Sequence, residues 1–342
     1  MKSQLKRWIM ATHSYPQSRL RRMRSSSFSR LLQRENHLLS SDLIYPVFVI
    51  EDGTFDKEIA AMPGVLRKNL TDLMHTCEEC VQFGIPAVAL FPVVEAQKKT
   101  ADACEAFNDK GLIPTAIKEI KKRFPSLGII SDIALDPYTS HGQDGVIDSE
   151  GYVLNDETID ILVRQALSHA AAGADIVAPS DMMDGRIGAV RRILEENKFY
   201  NTKILSYAAK YASNFYGPFR EAVGSKESLG SADKNAYQMD PANSNEALLE
   251  AKMDISEGAD MIMVKPGLPY LDIVRILKDT YKVPTFAYQV SGEYSMIKAA
   301  SMNGWISEKE CVLESLLSFK RAGCDGVLSY YALDAAKWLE KL

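Results

Sequence analysis

Eight short apolar runs separated by longer amphipathic segments, and one helix-stop, strand-start phrase that recurs, predict an α/β fold: a (β/α)8 TIM barrel with an extended N-terminal arm. The runs are continuously apolar and do not alternate, which implies burial on both faces and hence a parallel sheet with helices outside. The phrase reads AAGADIVAPS at 171–180, SEGADMIMVKP at 256–266 and KRAGCDGVLSY at 320–330. Eight units after the arm take about 38 residues each, a size suited to a barrel with some enlarged loops. A doubly wound open sheet is the alternative, but no G-x-G-x-x-G fingerprint opens a helix after an early strand.

Residues 1–38 differ from the rest. Arg19, Arg21, Arg22 and Arg24 precede Ser25, Ser26 and Ser27, and apolar residues are sparse, so this stretch reads as an arm that contacts a neighbouring subunit. Residues 39–342 form the barrel, with strands predicted at Leu43–Ile50, Pro86–Phe91, Gly128–Ala134, Asp175–Ala178, Ile204–Ala208, Met261–Val264, Thr285–Val290 and Gly326–Ser329. Helix-like stretches between them include Ile159–Ala171, Asn245–Glu257, Leu271–Tyr281 and Glu308–Arg321. Gly84, Gly173, Gly258 and Gly323 stop helices just before a strand begins.

Composition narrows the function. A chain of 342 residues that is 46% hydrophobic and 25% charged buries a large core, which excludes a disordered or fibrous protein. A net charge of −5 argues against nucleic acid or an anionic membrane as the main partner, and means that an anionic substrate needs local positive charge. Five cysteines, an odd number, look like reduced intracellular thiols, so a cytoplasmic location is expected. The apolar run after Lys2, Lys6 and Arg7 is too short for a signal peptide, and nothing approaches the roughly eighteen apolar residues of a membrane span.

Barrel chemistry belongs at the C-terminal ends of strands, and two lysines stand there. Lys265 follows Met261–Val264 and precedes Pro266; Lys210 ends the run that begins at Ile204. Burial disfavours an ammonium, a second cation depresses its pKa further, and the free amine can attack a carbonyl. Two such lysines at one mouth point to Schiff-base chemistry; salt bridging is the plainer reading of either alone. The segment 132–145 carries Asp132, Asp136 and Asp144, able to bind a hard cation or a substrate amine, or to form an Asx-rich turn without chemistry. After the Lys210 strand, Arg220, Lys234 and Gln238 suit a carboxylate clamp. Ser291 and Tyr294, and Tyr330 and Tyr331, offer hydroxyls at the ends of strands seven and eight. Cys77 and Cys80, with His75 nearby, lie in a helical segment without a second pair at zinc spacing and read as structural.

The segments SDIALDPYTSHGQDG, APSDMMDGRI, YAAKYASNFYGPFREA, YQMDPANSNEA, MIMVKPGLPYLDI and YQVSGEY, in that order, resemble the porphobilinogen synthase (5-aminolevulinate dehydratase) family over about residues 14–340. The resemblance implies a (β/α)8 barrel that condenses two 5-aminolevulinate molecules into porphobilinogen with loss of two waters, a lyase of tetrapyrrole and heme biosynthesis. It makes Lys265 the main Schiff-base lysine and Lys210 the second. Ser291 and Tyr330 then bind one substrate carboxylate, while Arg220, Lys234 and Gln238 bind the other; Ser180, Tyr207 and Phe219 complete the substrate-binding set. A single-substrate Schiff-base aldolase on the same barrel is the competing reading.

The zinc branch of that family carries three cysteines where this chain has Ala134, Asp136 and Asp144, and carboxylates suit Mg2+ or monovalent cations where thiolates select zinc. The chain therefore resembles the magnesium-responsive branch: no catalytic zinc, an allosteric Mg2+ at Glu250, and room for a monovalent cation near the active site. Asp132, Asp136 and Asp144 would orient the second substrate's amine or carry protons. The resemblance also implies a homo-octamer held by the N-terminal arms.

Overall fold

The computed structural model describes residues 14–224 and 233–341. The chain divides into two compact units, 1–37 and 38–342. The second is a closed barrel of eight parallel strands in sequential order. They are β1 (Leu43–Val49), β2 (Ala87–Pro92), β3 (Gly128–Ile133), β4 (Ile176–Pro179), β5 (Lys203–Lys210), β6 (Met261–Lys265), β7 (Thr285–Gln289) and β8 (Gly326–Ser329). Each predicted run yields one strand, with ends shifted by at most two residues and β8 unshifted. The shift that matters is at β5 and β6, which continue far enough to take Lys210 and Lys265 in as their last residues. Asp132 likewise belongs to β3 and not to the loop after it.

In the first unit, α1 (Ser27–Leu32) follows a 3-10 turn at Leu20–Arg24. Around the barrel lie α2 (Leu70–Gln82), α3 (Leu112–Arg123), α4 (Asn155–Ala172), α5 (Arg186–Glu196), α6 (Gly217–Ala222), α7 (Asn245–Glu257), α8 (Leu271–Tyr281), α9 (Ser291–Met302), α10 (Glu308–Ala322) and α11 (Ala332–Leu339). Gly173, Gly258 and Gly323 end α4, α7 and α10 with φ between 107° and 111°, a left-handed conformation that costs glycine nothing sterically and turns the chain toward the next strand.

The core fills both the barrel and the layer beneath the helices. Val88, Leu90, Ile129, Val177, Leu205, Ile262, Val264 and Leu328 are all fully buried, each contributing about 1.5–3 kcal/mol relative to exposure. Cys77 and Cys80 are buried in α2, and burial pushes the Cys77 thiol up to about 12, so the pair lacks the thiolate character of a metal ligand. Among the described residues, no helix is long and apolar enough to cross a membrane.

Candidate active site

Strand ends bring the mouth together. On β5 and β6 the residues Leu205 and Ser206 face Met261 and Ile262, but the next pairs are Ala209 with Val264 and Lys210 with Lys265. Three steps on β5 match two on β6, so β5 carries one extra residue, a bulge that sets Lys210 beside Lys265. Without it Ala209 would stand there.

The two ammonium groups meet different surroundings. Lys265 Nζ lies 4.9–5.3 Å from the ring centres of Tyr207, Tyr216, Phe219 and Tyr288, and among the described residues no carboxylate is within ion-pairing distance. Burial, reinforced by Lys210, drives its pKa down to about 7, against the pull of Asp132, Asp136 and Asp144. Lys210 Nζ instead donates to the Ser180 carbonyl and lies 3.3 Å from Asp144 Oδ2. One lysine is thus poised as an amine, and the other is held in a polar network.

The loop aspartates converge on a third lysine. Lys234 Nζ is 2.6 Å from Asp144 Oδ1 and 3.2 Å from Asp136 Oδ2. Burial would lower Lys234, but Asp136 and Asp144 outweigh it and hold its pKa above the ordinary value. Asp144 is likewise buried, yet Lys210 and Lys234 overcome desolvation and push it down to about 2. Asp136 moves the other way, raised by burial and by its neighbour Asp144. Asp132 is raised to about 7, chiefly by burial, against Lys265 and Lys210; its Oδ1 has no hydrogen-bond partner. A carboxyl that titrates near neutrality beside a free amine is fitted to proton transfer.

Both expected clamps are on this side of the barrel, in different states. The Ser291 hydroxyl accepts from Phe219 N at 2.9 Å and donates to Phe215 O, and the Tyr330 hydroxyl is 2.9 Å from that of Tyr288. Lys234, Gln238 and Arg220 differ in how they are engaged. Lys234 is engaged by the aspartates, Gln238 Oε1 is buried without a partner, and half-buried Arg220 makes no hydrogen bond or ion pair among the described residues. Among the described residues, the buried Gln238 amide oxygen is left without the donor that a buried polar group ordinarily finds.

Three groups escaped the sequence reading. Tyr216 and Tyr288 complete the ring cage around Lys265, and Tyr216 is fixed there by donating to the Lys265 and Tyr211 carbonyls. Arg186 is buried below Lys210, within 3.5 Å of Asp181 and 3.4 Å of Asp254, and donates to the Tyr207 carbonyl. Asp254 also accepts from the Ser206 hydroxyl. Glu293 is buried where β6 turns into its loop. A buried arginine or glutamate cannot be told from a surface one by residue type, so only the recurrence of charge in otherwise apolar segments could have flagged them.

Glu250 lies on α7, half-buried, and faces a cavity of about 240 Å3 that Asp184, Glu246 and Gln238 also line. Burial, with Asp254 adding, lifts its carboxyl to about 7, and Arg186 only partly offsets this. Among the described residues, no group of three or more His, Cys, Asp or Glu side chains is arranged to hold a metal ion.

A closed parallel barrel with two buried lysines side by side at its C-terminal mouth defines a class, the barrel enzymes that act on carbonyl substrates through amine groups. A family model described as delta-aminolevulinic acid dehydratase matches residues 17–338, and the chain belongs to that family. It is 53% identical over 321 residues to the delta-aminolevulinic acid dehydratase of Bradyrhizobium diazoefficiens, covering 94% of this chain and 90% of that one. It is 48% identical over 322 residues to that of Bacillus subtilis, covering 94% and 98%. The Toxoplasma gondii delta-aminolevulinic acid dehydratase (porphobilinogen synthase), solved in complex with the reaction product porphobilinogen, is similar with a TM-score of 0.93 and 50% identity over 96% of this chain and 93% of that one.

Proposed function

We propose that this barrel is a porphobilinogen synthase, a lyase that condenses two 5-aminolevulinate molecules into porphobilinogen and two waters through Schiff bases on Lys265 and Lys210. The observation that carries the lysine roles is their pairing on adjacent strands, with Lys265 desolvated among four rings. The free Lys265 amine adds to a substrate ketone and the carbinolamine loses water, leaving an imine. Lys210 does the same for the second molecule. One carbon–carbon and one carbon–nitrogen bond then join the substrates, and each bond displaces a lysine. The two ketone oxygens leave as the two waters, and protons lost from carbon aromatise the ring. Asp132, whose carboxyl is raised by burial to about 7 under the influence of both lysines, takes and returns those protons. Ser291 and Tyr330 would hold one carboxylate. Arg220, Gln238 and Lys234 would hold the other once Lys234 leaves Asp136 and Asp144, whose released oxygens suit the second substrate's ammonium.

The test is borohydride reduction with 5-aminolevulinate, followed by peptide mass mapping and by Ehrlich's reagent for the pyrrole. Label on the Lys265 peptide together with pyrrole is expected. Label without pyrrole would instead support a single-substrate aldolase, and no label at Lys265 would sink the assignment.

The metal reading follows the donor chemistry. With Ala134, Asp136 and Asp144 in the loop there is no thiolate to select zinc. The two carboxylates already share Lys234, so a monovalent cation there would have to displace an ammonium. At Glu250 the donors fit Mg2+, which takes one or two carboxylates and keeps several waters, and whose charge would offset the burial, and the lesser repulsion from Asp254, that lift Glu250. Bound there, Mg2+ would supply charge neutralisation away from the reacting atoms. Activation by Mg2+ that survives zinc-selective chelation, and is lost in Glu250→Gln, is the expected result; stoichiometric tightly bound zinc would contradict it. Assembly as a cytoplasmic homo-octamer through the arms completes the proposal.

A further inference from the structure

Glu293, in the first turn of α9, is fully buried, and among the described residues no cation lies within ion-pairing distance. Its Oε2 accepts from Val290 N at 2.7 Å and from Gly267 N at 3.3 Å, and its Oε1 accepts from Leu268 N at 2.6 Å. Capping its own helix would explain the Val290 bond alone. The other two donors come from 25 and 26 residues away, in the turn immediately after Lys265 and Pro266. We infer that Glu293 is a positioning residue: its two carboxylate oxygens lock the turn behind Lys265 to the helix start that carries Ser291. The inference rests on the assignment of Lys265 as the imine-forming lysine.

The joined segments have no room to slide. A Cβ at Gly267 would fall 2.5 Å from the Phe319 ring, and one at Gly292 would fall 2.5 Å from the Phe215 carbonyl oxygen. The lock fixes Lys265 among its rings and Ser291 against Phe219 as one unit, so amine and carboxylate clamp keep a set spacing. The choice of side chain follows from hydrogen-bond inventory. Burial, against its three N–H donors, raises the Glu293 carboxyl to about 7; above that pH it is a carboxylate and only accepts, whereas a glutamine amide must turn its NH2 toward one set of donors at every pH. Keeping the shared oxygen on Val290 and Gly267 puts that NH2 against Leu268 N–H. Glu293→Gln therefore keeps the helix cap and loses the grip on the lysine turn, and a misplacement of about 1 Å in a reacting group costs about 100-fold in rate.

The experiment compares the full-length parent, Glu293→Gln and Ser295→Ala. Ser295 is the control, because its hydroxyl donates from the same helix to Ala61 O and touches neither the turn nor Ser291. Borohydride trapping at Lys265 is followed from about pH 6 to about pH 10, which spans the ordinary lysine value. kcat and KM for 5-aminolevulinate are measured where circular dichroism shows each protein folded. Glu293→Gln should lower kcat about 10- to 100-fold with KM near the parent's. Its trapping curve should move to higher pH by about one unit, because a loosened turn admits water to Lys265 while Lys210, Asp132, Asp136 and Asp144 are unchanged. Ser295→Ala should lose stability and show neither change. Parent-like kcat and pH dependence in Glu293→Gln would overturn the inference, and so would a variant that does not fold, since the role would then be structural. A parent unlabelled at Lys265 fails the Schiff-base assignment itself and takes this inference with it.

Discussion

Burial acts in opposite directions on the two kinds of ionisable group at the mouth, and the result is a usable pair. It lowers Lys265 to about 7 and raises Asp132 to about 7, so near neutrality one supplies a free amine and the other trades protons. The sign fixes a pH dependence. Below about 7 Lys265 is an ammonium and cannot attack; above it the amine is free, so kcat/KM for 5-aminolevulinate should climb through an acidic limb near pH 7. A limb near the ordinary lysine value of about 10.4 would show that Lys265 is not desolvated in solution. Residue type and position singled out the two lysines at the ends of apolar runs, and the aspartates and expected clamp residues at the ends of β3, β7 and β8 and in the segments that follow β3 and β5. Tyr216, Tyr288, Arg186 and Glu293 were not legible, because their meaning comes from partners brought near by other strands.

Element positions were easier to read than the local irregularity that gives them function. Continuous apolar runs with glycine stops locate all eight strands, yet the bulge that puts Lys210 and not Ala209 opposite Lys265 leaves no pattern in a strand buried from Ile204 onward. The same limit hides the contact between α5, β5 and α7, where Arg186 reaches Asp181 and Asp254. Arg186 and both carboxylates are almost wholly buried, so removing the guanidinium strands two charges in the interior. Arg186→Ala should destabilise the fold by about 3–5 kcal/mol in urea denaturation. The Lys98–Glu51 pair is a fair contrast, with side chains 36% and 39% exposed; Lys98→Ala should cost under about 1 kcal/mol. Similar losses from the two variants would refute the claim that burial of the partners decides the effect.

At the scale of the whole molecule the arm and the barrel solve different problems. The barrel unit, 38–342, contains its own core, in two buried apolar clusters. The arm cannot: among its described residues Tyr15, Leu20, Phe28, Leu31 and Leu32 are 59–79% exposed, and Arg19, Arg21, Arg22 and Arg24 leave few neighbours to cover them. Apolar groups left in water on a short charged segment are stabilised when a second copy covers them, and a closed symmetric assembly covers every arm at once. Deleting residues 1–37 should therefore leave the barrel folded, with a cooperative thermal transition, while its mass by light scattering falls from about eight times the 38.0 kDa chain to a smaller multiple. Activity should fall with it if the Mg2+ proposed at Glu250 acts through the assembled form, and added Mg2+ should then no longer restore it. A truncated chain that keeps the parent's mass would refute the arm's role. A parent that runs at the mass of a single chain would refute the octamer itself and leave the exposed side chains of the arm to some other partner.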